Sequence, residues 1–244
     1  MINFFRKIRK QFADDNKPLK YMRYAIGEIV LVVIGILIAL SINNWNEGRK
    51  LEVAELDILK GIKQNILMDT LDLNHNIRRY EEMWTRDSIV FYHIADKKPL
   101  DSLVNDKLSD LWRSNMSIML HTSYFDEAKT KGLSIISNKE LRDSISRLYE
   151  FRYAYVALFE NESKQYDYLS IYEELMSDYI YFDSNTGWVI DEKKYQSILN
   201  DKFFTKKLID ASIKMLSVQS IYTDAKEAAV YVVNQIDIEL AMRE

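Results

Sequence analysis

Ala25–Ile42, AIGEIVLVVIGILIALSI, is apolar at every position except Glu28 and Ser41, and this run limits what the chain can become. As an α-helix rising about 1.5 Å per residue it covers roughly 27 Å, close to the ~30 Å hydrocarbon thickness of a bilayer. Tyr24, Asn43 and Trp45 extend it at either end. The pattern predicts a transmembrane helix over residues 25–45, with Arg23, Tyr24 and Trp45 as anchors at the membrane interfaces.

Charge sets the orientation. Residues 1–24 carry Arg6, Lys7, Arg9, Lys10, Lys17, Lys20 and Arg23 against Asp14 and Asp15, whereas NNWNEGRKLEVAE after the span mixes both signs. Basic flanks stay in the cytoplasm, so the expected arrangement is a signal-anchor with residues 46–244 exported. Cleavage after the small residues near Ala39 and Ser41 is the rival. The apolar core is longer, and its basic preface longer, than a signal peptide requires. Within the leader, Phe4, Phe5, Ile8 and Phe12 fall at helical spacing between basic residues. They suit an amphipathic helix lying in the inner interface, or simply a positive-inside signal. Asp14 and Asp15 break the pattern, and Pro18 is placed to open the membrane helix.

The exported part is long enough for one domain beside the anchor. The whole chain sums to −4; residues 1–24 contribute seven basic and two acidic side chains and Glu28 one more acid, which leaves −8 beyond the span. Such a surface argues against a nucleic-acid partner. Cysteine is absent, excluding disulfides and thiolate metal sites, and 6 Gly with 2 Pro favour long helices. Leu56, Leu59, Ile66, Leu73, Ile77, Tyr80 and Trp84 predict a long amphipathic helix from about residue 46 to 95, weakest at Gly48 and Gly61 and ended by Lys97, Lys98 and Pro99. A short helix over 101–116 and another over 122–132, closed by Gly132, come next. Ser137 and Glu140 form a predicted capping box. It opens a second long helix reaching Tyr181, with Leu141, Ile145, Leu148, Tyr155, Phe159, Tyr166, Leu169, Met176 and Ile180 as its seam. Asp183–Gly187 is a turn, Trp188–Ile190 a short extended piece, and 192–199 a helix. The final helix carries Phe204, Leu208, Ala211, Met215, Val218, Tyr222, Ala225, Ala229, Val232, Ile236 and Leu240 on one face. The expected fold is all-α: a single N-terminal transmembrane helix followed by an antiparallel bundle of long helices, because each apolar stripe must be buried against another.

YAIGEIVLVVIGILIALSINNWNE resembles the N-terminal hallmark of an uncharacterised domain-of-unknown-function family of small membrane proteins from Gram-negative bacteria. Over about residues 2–50 the order of basic helix, GEI, apolar run and NNWNE is kept. The resemblance implies a single-pass inner-membrane protein with a helical C-terminal part, and brings no activity, cofactor or catalytic residue.

Within the span, Gly27, Leu31, Gly35 and Ala39 recur at every fourth position, with Glu28 alongside. Small residues at this spacing let membrane helices approach, so the stripe is the expected association face for a second copy or another membrane protein; Leu31 interrupts it, and glycine is also common in membrane helices for no such reason. Glu28 sits about one turn from the cytoplasmic end. It can snorkel toward Arg23, Lys20 and lipid amines, or act as a titrating carboxylate.

The sequence contains no Gly-rich phosphate loop, HExxH or GxSxG. His75, His93 and His121 are far apart, and Asp72–His75 is one acid-x-x-His pair where a carboxylate-bundle metal site needs two plus bridging acids. The dense Tyr and Phe of residues 149–181 suit a core with phenol tips at water, or an aromatic ligand groove. Two sequons, at Asn115 and Asn161, carry little meaning in a bacterial envelope. The function expected is a non-enzymatic, membrane-anchored interaction, scaffold or sensor protein with a periplasmic helical domain, no cofactor and the lipid bilayer as its first partner. The alternative is a subunit of an ion-coupled assembly that uses Glu28.

Overall fold

The computed structural model describes residues 18–113, 117–161, 167–185 and 187–243. The leader with Phe4, Phe5, Ile8 and Phe12 lies outside the described residues, as does Tyr166 of the expected second seam. By its contacts the chain forms two compact units, Met1–Ala54 and Glu55–Glu244.

Pro18 is the first residue of α1 (Pro18–Ala95), where its missing N–H is no loss. The helix runs through Gly48 and Gly61, each tolerable at about 1 kcal/mol relative to alanine. It stops where Lys97 takes a positive φ of 52°. There the Lys97 N–H reaches the Ile94 carbonyl and the Lys98 N–H the His93 carbonyl, closing the free end just before Pro99.

In the second unit α1 pairs with α8 (Lys202–Ala241) along its length. Glu55 meets Arg243, Lys63 meets Asp237, Tyr80 meets Tyr222, Asp87 meets Ser212 and Lys97 meets Asn200. As one number rises the other falls at the same pace, which defines an antiparallel pair in constant register. On α8 every residue of the expected seam from Phe204 to Ile236 is buried, and Leu240 packs at its edge. On α1 the buried apolar face comprises Ile58, Leu59, Ile62, Ile66, Leu73, Tyr80, Met83, Val90 and Ile94, while Trp84 is turned outward.

Between these arms lie α2 (Ser102–Ser109), with Asp101 as its N-cap and a 3₁₀ turn over Asp110–Arg113, and α3 (Ser123–Lys131), closed by Gly132 at φ 90°. The expected second long helix is not one helix. It comprises α4 (Lys139–Arg147), a π-turn over Leu148–Tyr153 and α5 (Ala154–Asn161); α6 (Leu169–Tyr179) follows separately. The π-turn inserts one residue into the helical phase. Tyr149, Tyr153 and Val156 therefore face inward, Tyr155 is exposed, and Arg152 reaches Asp224 at 3.5 Å. Nor does Ser137 form a capping box: Asn138 is the N-cap, accepting from the Leu141 N–H at 3.2 Å. Glu55 has claimed Ser137 instead, through both its N–H (2.7 Å) and its hydroxyl (2.9 Å).

A small antiparallel hairpin interrupts the helices. β1 (Tyr181–Asp183) pairs with β2 (Gly187–Val189), Phe182 opposite Trp188 with ring centroids 5.5 Å apart. Then α7 (Glu192–Ile198), capped by Asp191, leads into α8, capped by Asp201.

Candidate functional site

The anticipated membrane face is an uncovered helix surface. Within the first unit Gly27, Gly35 and Ala39 are exposed, Leu31 is 74 % exposed and Glu28 is half-buried. A Cβ added at Gly27 or Gly35 would meet nothing within 4 Å. Arg23, Tyr24 and Trp45 are exposed, the Trp45 ring lying 5.8 Å from the Arg49 guanidinium.

The second unit holds three polar stations along α1, none anticipated, because each uses residues far apart in sequence. The first is a clasp. Arg243 donates to Glu55 Oε2 at 2.7 Å, to Glu55 Oε1 at 3.1 Å, to the Ser137 hydroxyl at 2.8 Å and to Glu239, and the Asn138 amide also donates to Glu239. Burial alone would raise the Glu55 carboxyl, but the Arg243 guanidinium and the two Ser137 donors outweigh it and hold it below the usual glutamate value. The same pairing raises Arg243.

The second station is a stripe at helical spacing, Gly61, Asn65, Asp69 and Asn76, all buried. It fastens the irregular segment 117–122 and the start of α3. The Tyr124 ring sits against Gly61, leaving no space for a Cβ. Asn65 donates to the Ser123 hydroxyl (3.1 Å) and Asn76 to the Ser117 carbonyl (3.2 Å). Asp69 Oδ1 accepts from the His121 N–H (2.9 Å) and pairs with His121 Nδ1 (2.8 Å). Burial raises the Asp69 carboxyl against the opposing pull of His121. It raises the Tyr149 and Tyr153 phenols too, and the Asp69 charge adds to that shift. The hydroxyls of Tyr149, Tyr153 and Tyr222 are buried without a well-formed hydrogen bond among the described residues, whereas Tyr155 and Tyr181 are exposed.

The third station is a buried ion pair. Asp87 Oδ1 accepts from Arg86 Nε at 2.8 Å, while Oδ2 accepts from the Ser212 hydroxyl at 2.7 Å and from the Tyr172 hydroxyl. Arg86 also donates to the Asp110 carbonyl (3.2 Å) and stacks 4.9 Å from the Tyr172 ring centroid. On one side lies a cavity of about 270 Å³ lined by Arg79, Glu82, Met83, Arg86, Lys107 and Asp110. On the other, between α1 and α8, is a mainly apolar groove of about 180 Å³.

Ionisable groups at these stations fasten elements together. Among the described residues no group of three or more His, Asp or Glu could hold a metal ion. His75 and Asp72 are exposed, and His93 Nε2 binds the Pro99 carbonyl at 2.8 Å. The buried stations were hidden in the sequence as polar interruptions; the recurrence of Gly61, Asn65 and Asp69 at four-residue steps was the one signal available. No curated protein and no solved structure matches the chain. The model of one protein family does match, over residues 28–207, which covers most of the apolar run, the buried positions Gly61, Asn65, Asp69 and Asn76, and the ion pair at Arg86 and Asp87. The chain thus belongs to a family of unknown function (DUF6090).

Proposed function

We propose that the chain is a non-enzymatic, single-pass protein of the bacterial inner membrane whose periplasmic helical bundle acts as an interaction, scaffold or sensor module. One observation carries the reading: the N-terminal part of α1 contains a membrane-length apolar window of which no part is buried. Apolar surface on that scale is stable only against lipid or another helix. The basic leader keeps the N-terminus cytoplasmic. Close packing along Gly27, Gly35 and Ala39 would bring in a second copy or a membrane partner, and the acidic exported domain disfavours nucleic acid.

Fractionation with a reporter active only in the periplasm, fused after Glu244, tests this. The expected result is sedimentation with membranes, an active reporter and a mature chain that retains Met1 or Ile2; a mature N-terminus at Ile42 overturns it. Gly35→Leu should weaken association of residues 20–46 in a membrane dimerisation assay, and an equal signal would remove the stripe from the proposal.

Glu28 supports a second reading, a subunit of an ion-coupled assembly, because it is the single acidic residue of the apolar run. If Glu28 only snorkels, Glu28→Gln leaves both assembly and phenotype intact. Intact assembly with phenotype lost in Glu28→Gln and partly kept in Glu28→Asp establishes the second reading instead.

A further inference from the structure

Asp69 is 0 % exposed, yet the segment it holds lies at the surface. Residues 117–122 form neither helix nor strand, and the His121 side chain is 41 % exposed. Two residues of α1 fasten this segment by hydrogen bonds: Asn76 to the Ser117 carbonyl, and Asp69 Oδ1 to the His121 N–H and Nδ1. Ile118 and Leu120 pack at the edge of the core. The second Asp69 oxygen, Oδ2, is buried without a well-formed hydrogen bond among the described residues, as are the hydroxyls of Tyr149 and Tyr153 from the π-turn. The Asp69 charge acts on both phenols. One buried carboxylate and two phenols thus share a site short of well-placed donors, and a proton on Oδ2 both removes the charge and supplies a donor.

We propose that Asp69 is the proton-binding element of a pH-sensitive latch: with the proton bound, residues 117–122 lie closed on α1, and loss of the proton releases them. A proton on Oδ2 leaves Oδ1 able to accept from both His121 donors, so the closed segment keeps its bonds. An ionised Asp69 regains hydration with least disruption by displacing this segment, since that breaks no helix or strand. Burial outweighs the pull of His121 and raises the Asp69 carboxyl; closure is therefore fully favoured below the ordinary aspartate value of 3.8 and weakens as pH rises through the folded value. The titratable groups around Asp69 are His121 from the segment, Tyr149 and Tyr153 from the π-turn, and Asp126 from α3, which acts on Tyr149 and is itself paired with Lys129 at 2.7 Å. The arm α8 passes this stretch between its Asp237–Lys63 and Tyr222–Tyr80 contacts, and its buried residues between them, Ala225, Ala229, Val232, Val233 and Ile236, are apolar. Release lifts Ile118 and Leu120 from the core edge, so a lost proton is converted into newly exposed apolar surface. The latch lies within the second unit and operates whether or not α1 spans a membrane.

Hydrogen exchange of the His121 amide in the full-length protein, corrected for the intrinsic effect of pH, measures the latch, because this N–H donates to Asp69. Its protection should fall about fivefold or more from about pH 4 to about pH 7.5. Amides of α8 beside the Glu55 clasp should not follow, since Glu55 stabilises with the opposite sign. Asp69→Asn keeps an oxygen that accepts from the His121 N–H but holds no titrating proton, so its His121 amide should stay protected across the range. Protection in the parent chain that is unchanged or rises with pH, a fall that the α8 amides share equally, or a fall that persists in Asp69→Asn overturns the inference. The first two of these outcomes are read from the parent chain and require no variant to fold.

Discussion

Single atoms decide several positions on α1. Gly61 is one, because the Tyr124 ring occupies the space of its Cβ. Gly61→Ala is expected to lower stability in urea unfolding by about 1–3 kcal/mol through overpacking. Gly48→Ala, where no atom lies within 4 Å, should be neutral or stabilising by up to ~1 kcal/mol. Two buried carboxylates respond to pH with opposite signs. The folded-state value of Glu55 lies below 4.5, so its stabilising contribution is present above that pH and is lost as pH falls through the folded value. Asp69 is raised above 3.8 by burial; its favourable contribution is present below 3.8 and is lost as pH rises through the folded value. Denaturation of Glu55→Gln and Asp69→Asn between pH 3 and 7 checks this. The difference from the parent chain should shrink on acidification for the first and on alkalinisation for the second.

For the elements, the π-turn makes the sharpest forecast. Tyr153→Ala should destabilise by about 3–5 kcal/mol in denaturant unfolding, as large core aromatics do. Tyr155→Ala should cost less, about 1 kcal/mol, since that residue is 39 % exposed and not part of the buried core. An uninterrupted helix would give the reverse order, and the sequence alone supports that wrong order. Leu141, Ile145 and Leu148 set a phase that Tyr155 and Phe159 continue, and nothing in the intervening composition announces the extra residue. The α8 seam was legible because small and aliphatic residues repeat every three or four positions with no interruption. The ends of α1, the closure at Gly132 and the turn before Gly187 were legible too, each depending on a few adjacent residues. The Ser137 capping box failed for the opposite reason: its competitor, Glu55, is 82 residues away. The stripe of Asn65, Asp69 and Asn76 escaped notice because a buried amide or carboxylate looks like a solvated one until its partner is known.

At the scale of the molecule, the clasp fixes the register of the two long arms in the second unit. Arg243→Ala leaves Glu55 and Glu239 buried without their shared cation, and is expected to cost about 3 kcal/mol in thermal or urea unfolding. The double variant Glu55→Gln with Arg243→Ala should recover part of that loss, because it also removes one of the uncompensated charges. The constant register has a consequence in time. Glu55 and Arg243 are 188 residues apart, and ribosomes add about 5–20 residues per second, so the first arm waits roughly 10–40 s for the end of the second arm that completes its cover. During synthesis the part of the α1 surface that α8 covers has no lasting partner. Chains arrested before Phe204 should therefore be cut by protease within residues 55–95 more readily than released full-length chains; equal protection would mean the first arm is held without the second. The same interval leaves an apolar helix open to any holding chaperone that it meets.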